Sequence, residues 1–130
     1  MKINDYFTGV QHVGIPTKDL DNTIKYYEAL GFKKIGDFQN GDVRCAFMQY
    51  GNLTIETWEG EPTNPVDGAI NHIALNTTDI ESAFKAAHEM GLNVDDDEIQ
   101  YIGAYWDKGI KFFNVYGPNH ERIEFCQILK

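Results

Sequence analysis

The sequence predicts an α+β fold of two tandem β-α-β-β-β modules. Three observations predict it: an internal repeat, helical apolar spacing that ends at a glycine in both copies, and strand-like runs after each helix. The stretch His12 to Lys34 (HVGIPTKDLDNTIKYYEALGFKK) recurs without a gap as His72 to Val94 (HIALNTTDIESAFKAAHEMGLNV), at a constant offset of 60 residues. His12/His72, Thr17/Thr77, Asp19/Asp79, Lys25/Lys85 and Gly31/Gly91 are identical pairs, and conservative pairs fill most of the interval. Two copies of one unit place equivalent residues about a pseudo-twofold axis, so His12 and His72 are expected to face each other. With 130 residues, 42% of them hydrophobic, the chain suits a single domain over about 9–129 whose modules, about 9–60 and 69–129, share one core.

The elements follow in order. Gly9 to Ile15 and Ala69 to Leu75 alternate or run apolar with β-branched residues, as short strands do. Thr17 or Asp19, and Thr77 or Asp79, can cap the helix that follows. Leu20, Ile24, Tyr27 and Leu30 recur at helical spacing, as do Ile80, Phe84, Ala87 and Met90, and Gly31 and Gly91 are placed to end the helices in a left-handed conformation. Strands are expected at Phe32 to Phe38, Val43 to Tyr50 and Leu53 to Trp58, the last two joined by a tight turn at Gly51-Asn52. Their counterparts are Asn93 to Ile99, Ile110 to Tyr116 and Arg122 to Gln127, and Glu61 to Gly68, with two prolines, reads as the connector.

The copies differ in length. His12 to Glu56 spans 44 residues and His72 to Glu124 spans 52, which assigns about eight added residues to Gln100 to Gly109 (QYIGAYWDKG). A loop carrying Tyr101, Tyr105 and Trp106 reads either as a lid or pocket wall, or as a surface excursion whose rings pack on the core or a partner subunit. Asp95-Asp96-Asp97-Glu98 reads as a solvated turn, because adjacent carboxylates in an extended segment point to alternate sides.

A net charge of −9 argues against broad attraction to nucleic acid or an anionic membrane, and leaves a small molecule as the expected partner. Cys45 and Cys126 have no CxxC spacing, and no apolar N-terminal segment precedes a cleavage-like site, so the expectation is a cytoplasmic protein with reduced thiols.

Strand alternation selects the chemistry. Val10, His12 and Gly14 share one face, as do Ile70, His72 and Ala74, so each imidazole has a very small neighbour. Thr54, Glu56 and Trp58 share a face of a later strand, as do Arg122 and Glu124 of its repeat. A carboxylate in mid-strand among apolar residues is costly unless something partners it. Singly, each of these residues also fits a half-buried structural role. As equivalent pairs, His12, Glu56, His72 and Glu124 form a set suited to one divalent cation such as Ni, Zn, Co, Mn or Fe, with positions left for water or substrate oxygens. Trp58, Asn114 and the loop residue Trp106 are candidate substrate contacts; Phe112 reads as core; Arg122 either binds a substrate anion or pairs with Glu124 or Glu121.

On QHVGIPTKDLDNTIKYYEALGF, NLTIETWEG, NHIALNTTDIESAFKAAHEMG and FFNVYGPNHERIEF, the chain resembles the vicinal oxygen chelate superfamily over about Gly9 to Leu129. That superfamily includes glyoxalase I, methylmalonyl-CoA epimerase, extradiol dioxygenases and the fosfomycin and bleomycin resistance proteins. The resemblance implies a glyoxalase-like fold, two βαβββ modules forming an open U-shaped mixed sheet, and often a homodimer. It places the metal ligands at His12, Glu56, His72 and Glu124, a set most similar to bacterial glyoxalase I (lactoylglutathione lyase). The implied activity is a metal-dependent lyase or isomerase working through an enediolate on a small 2-oxo or 2-hydroxy thiol adduct, with Glu124 as base and Glu56 as its symmetry mate on the opposite face. An epimerase acting on methylmalonyl-CoA and a non-catalytic drug-sequestering protein are the alternatives within the same superfamily.

Overall fold

The computed structural model describes residues 2–6, 8–60, 66, 68 and 70–130. It divides into two compact units, Met1–Thr63 and Asn64–Lys130, with the division inside the expected connector, most of which lies outside the described residues. After a short 3-10 turn at Ile3–Asp5, the first unit contains β1 (Val13–Pro16), α1 (Leu20–Ala29), β2 (Lys33–Asn40), β3 (Val43–Tyr50) and β4 (Leu53–Trp58). Its sheet has the order β1-β4-β3-β2; β1 runs parallel to β4, and the other pairs are antiparallel. The second unit contains β5 (Ile73–Asn76), α2 (Ile80–Glu89), β6 (Asn93–Val94), β7 (Gln100–Ile102), β8 (Ile110–Tyr116) and β9 (Arg122–Ile128). The order here is β5-β9-β8-β6, with β7 also on β8, and β5 is parallel to β9. The mixed α+β architecture expected from the repeat is therefore present in each half.

Local chemistry sets the helix boundaries. The Asp19 carboxylate accepts from the Asn22 N–H at 3.1 Å and that of Asp79 from the Ser82 N–H at 3.1 Å, while Thr17 and Thr77 accept from the Asp19 and Asp79 N–H groups. Both candidate caps are thus used, the aspartate on the helix and the threonine on the aspartate. At the other end, Phe32 N–H donates to Tyr27 O and Gly31 N–H to Glu28 O, with Gly31 at φ 99°, and the Tyr27 and Phe32 rings meet edge-on at 5.2 Å. This Schellman hydrogen bonding recurs through Leu92 N–H to Ala87 O and Gly91 N–H to His88 O.

Leu20, Ile24 and Tyr27 are buried on α1, on the side of the sheet occupied by Ala46, Met48, Ile55 and Thr57. In the second unit Ile80 and Ala87 are buried, as are Phe113, Val115 and Ile123. Each large apolar side chain so removed from water stabilises its unit by about 1.5–3 kcal/mol. Met90, expected on the buried face, is exposed, because it is the cap residue beyond the last turn.

Further differences from expectation have local causes. The first strand of each unit is shorter than read, because ladder pairing starts at Val13↔Ile55 and Ile73↔Ile123; His12 and His72 immediately precede it. The strand expected over Asn93 to Ile99 is broken into β6 and β7. The Asn114 N–H, a main-chain donor of β8, is taken at 2.6 Å by the Asp96 carboxylate instead of a strand carbonyl. The acidic run is consequently not only a solvated turn: Asp96 is half-buried, and Asp95 faces Arg122 at 3.8 Å. Phe112 lies on the Glu124 face of its sheet, and the core ring is its neighbour Phe113, since alternation sends adjacent residues to opposite sides.

Candidate functional site

Register places each glutamate in a cross-strand row. In the first unit the row is Gly14–Glu56–Phe47 on β1, β4 and β3; in the second it is Ala74–Glu124–Asn114 on β5, β9 and β8. Both rows lie on the sheet face opposite the helix-facing Ile55 and Ile123. The histidine two residues before the small member of each row reaches its glutamate. His12 Nε2 is 3.3 Å from Glu56 Oε1, and His72 Nε2 is 3.7 Å from Glu124 Oε1.

The other imidazole nitrogen is also engaged. Nδ1 of His12 hydrogen-bonds the Gln11 side-chain oxygen, and Nδ1 of His72 the Asn71 side-chain oxygen at 2.9 Å. An amide oxygen only accepts, so Nδ1 is the donor in that contact, and Nε2 is the nitrogen turned to the carboxylate. An imidazole with its outer nitrogen tied down presents the other one in a fixed direction, and imidazole nitrogen beside carboxylate oxygen is a donor set that fits a borderline divalent cation. Within either unit, among the described residues, no group of three or more His, Cys, Asp or Glu side chains takes ligating geometry. What each unit presents is one His-Glu pair.

The next row explains the space around each carboxylate. It reads Pro16–Trp58–Cys45 in the first unit and Asn76–Cys126–Phe112 in the second. The Trp58 ring lies over Gly14, where an added Cβ would stand 3.0 Å from it and 4.0 Å from Glu56 Oε1. Where the second unit has Ala74, it has the smaller Cys126 instead of a tryptophan. The Cys45 thiol donates to Glu56 Oε2 at 3.3 Å, and burial, reinforced by that carboxylate, pushes the thiol up to about 11. Burial also raises the Cys126 thiol, with Glu124 adding to the effect.

The expected substrate contacts occupy different surroundings. Trp58 is half-buried beside Glu56, and Asn114 is buried beside Glu124 with its side-chain amide 3.3 Å from Asp96. Arg122 stacks on the Tyr116 ring at 5.0 Å, besides facing Asp95. Trp106, at φ 54° and 62% exposed, lines an open cleft of about 350 Å³ with Asp107, Lys108, Ile128, Leu129 and Lys130, none of them a His or Glu of the pairs. Gly109 anchors that loop: a Cβ there would meet Ile102 O at 2.9 Å. The rings of Tyr101, Tyr105 and Trp106 are all exposed, not packed into the core of their unit.

Gln11, Asn71 and Cys45 were not among the residues expected from sequence. The signal for the first two was an amide directly before each repeated histidine. For Cys45 it was the two-residue turn at Gly51-Asn52, which sets Cys45 opposite Trp58. Glu59 and Gln127 were missed as well. Their side-chain oxygens accept from the first helical N–H groups, Leu20 at 2.7 Å and Ile80 at 2.9 Å, tying each helix to the strand that carries the glutamate.

A family model described as Glyoxalase/Bleomycin resistance protein/Dioxygenase superfamily matches residues 11–113. The uncharacterized protein YwbC of Bacillus subtilis (strain 168) is 31% identical over 125 residues, covering 91% of this chain and 96% of that one. Among solved structures, a glyoxalase family protein from Enterococcus faecalis superposes with a TM-score of 0.75 at 19% identity, covering 93% of this chain and 98% of that one. The fosfomycin resistance protein FosX from Listeria monocytogenes, complexed with Mn(II) and sulfate, gives 0.73 at 15% identity, covering 95% and 94%. Likeness at these identities establishes the fold.

Proposed function

The chain belongs to the glyoxalase/bleomycin resistance protein/dioxygenase superfamily, and from that premise we propose that it is a metal-dependent lyase or isomerase of the glyoxalase I type. Its substrate would be a small 2-oxo or 2-hydroxy thiol adduct, deprotonated beside a carbonyl to an enediolate. The observation that carries this reading is the His-Glu pair in each unit, with Nδ1 occupied and Nε2 turned to a carboxylate oxygen.

His12, Glu56, His72 and Glu124 would be the donors to a divalent cation of the Ni, Zn, Co, Mn or Fe class, which when bound supplies Lewis-acid polarisation of adjacent substrate oxygens. Glu124 takes the proton from the substrate carbon and returns it to the neighbouring one; Glu56 serves the opposite face. Asn114, buried against Glu124, and Arg122, two residues away on the same strand face, orient the polar end of the substrate. Trp58 supplies an apolar wall beside Glu56, and Trp106 contributes from its loop.

Metal analysis and a panel of hemithioacetals built on different thiols test the proposal, with methylmalonyl-CoA run alongside. Wild type is expected to hold stoichiometric divalent metal and turn over at least one hemithioacetal. His12→Ala and Glu124→Ala should lose metal, and Glu124→Gln should lose about 10²-fold or more in kcat. A wild-type protein without stoichiometric metal under every loading condition sinks the reading. Turnover of methylmalonyl-CoA alone, or saturable ligand binding without turnover, replaces it with an epimerase or a binding protein.

A further inference from the structure

We propose that Cys45 is a positioning residue for Glu56: its thiol holds Oε2, so that Oε1 is the oxygen presented beside His12. The inference rests on the reading of His12 and Glu56 as metal ligands and adds a residue that this reading does not assign.

The two oxygens of Glu56 are divided between two partners. Oε1 faces His12 Nε2 at 3.3 Å, and Oε2 accepts from the Cys45 thiol, also at 3.3 Å. A free carboxylate end rotates about its last bond; a donor fixed in the neighbouring strand removes that freedom. Cys45 is such a donor, 8% exposed in the middle of a paired strand and on the same face as Glu56. Outer donors that orient a ligating group are worth about 10–100-fold in metal affinity.

The second unit supplies an independent observation. The cross-strand pair Cys45–Trp58 is matched there by Phe112–Cys126: one thiol and one ring in each, with the strands exchanged. The chain has only two cysteines, and both fall in this row: the Cys45 thiol donates to Glu56, and Cys126 stands two residues from Glu124 on the same face of β9. Volume complementarity explains one large and one small member per pair. It does not select a donor over alanine or valine, whereas donation to the carboxylate does.

The experiment titrates Mn(II), and separately Ni(II), into metal-free wild type, Cys45→Ala, Cys45→Ser, Glu56→Gln and the Cys45→Ala/Glu56→Gln double variant. The S–H stretching band of Cys45 is read by Raman difference against Cys45→Ala, in the wild-type and Glu56→Ala backgrounds. We expect Cys45→Ala to weaken the wild-type Kd about 10-fold, Cys45→Ser to recover most of that loss, and the double variant to bind no more weakly than Glu56→Gln. The S–H band should shift when Glu56 is removed. Wild-type affinity in Cys45→Ala, an equal loss in both backgrounds, or a band indifferent to Glu56→Ala overturns the proposal. If wild type binds neither ion, it is the metal reading that has failed, and the S–H band alone decides whether the thiol holds Oε2.

Discussion

Gly14 and Ala74 occupy equivalent places beside a glutamate and differ by one carbon, and their neighbours compensate for the difference. A Cβ at Gly14 would stand 3.0 and 3.1 Å from two atoms of the Trp58 ring, so Gly14→Ala is expected to destabilise the protein by about 1 kcal/mol through overpacking. Trp58→Cys, which recreates the Ala74–Cys126 pairing, should remove most of that penalty. Chemical denaturation of both single variants and the double variant measures the coupling, and additive effects would refute the contact. At this scale the sequence was informative where period-two alternation operates: it put Glu56 with Trp58 on one face, as the register has them, and His12 with Gly14, which pairs with the Glu56 that His12 reaches. It was silent on Gln11, Asn71 and Glu59, because those contacts depend on where a flexible polar side chain ends, and alternation does not fix that.

Among the elements, the helices were legible almost to the residue because caps and stops are local chemistry. The sheets were legible in the long strands, and not where a side chain replaces main-chain pairing, as Asp96 does on β8. The α2 cap gives a pH prediction. The Ser82 hydroxyl and N–H hold the Asp79 carboxyl below its ordinary range. A carboxyl lowered on folding contributes stability above its unfolded value of about 3.9, and that stability is lost as the pH falls through the lower folded value. Thermal melts between pH 6 and pH 3 should therefore show wild type losing more than Asp79→Asn, which keeps an acceptor and does not titrate; parallel losses would refute it. The turn before β9 gives another prediction. His120 sits at φ 62° with its ring stacked on Tyr116 at 4.3 Å. Both His120→Ala and His120→Gly lose the stack, but only glycine relieves the left-handed backbone, so the glycine variant should be the more stable by about 1 kcal/mol in equilibrium unfolding.

The chain as a whole carries a net charge of −9 and, among the described residues, no helix long and apolar enough to cross a membrane. If His12, Glu56, His72 and Glu124 are cation donors, folding and metal binding are linked. A free ion at 100 times its Kd should stabilise wild type by about 2.7 kcal/mol. Chelation should lower Tm in wild type and leave a His12→Ala/Glu124→Ala variant unmoved. The duplication made the two His-Glu pairs legible from sequence, because each residue had a counterpart; the differences between the units were legible only as lengths and could not show which neighbours had changed together. Those paired changes also bear on history. Starting from a common module with glycine and tryptophan in facing places, loss of the indole leaves a gap that water can enter, whereas gain of the alanine methyl first drives it into a ring. Loss of the indole before gain of the methyl is therefore the milder order, and a second half bearing Ala74 together with a tryptophan at position 126 should be the less stable intermediate by about 1 kcal/mol.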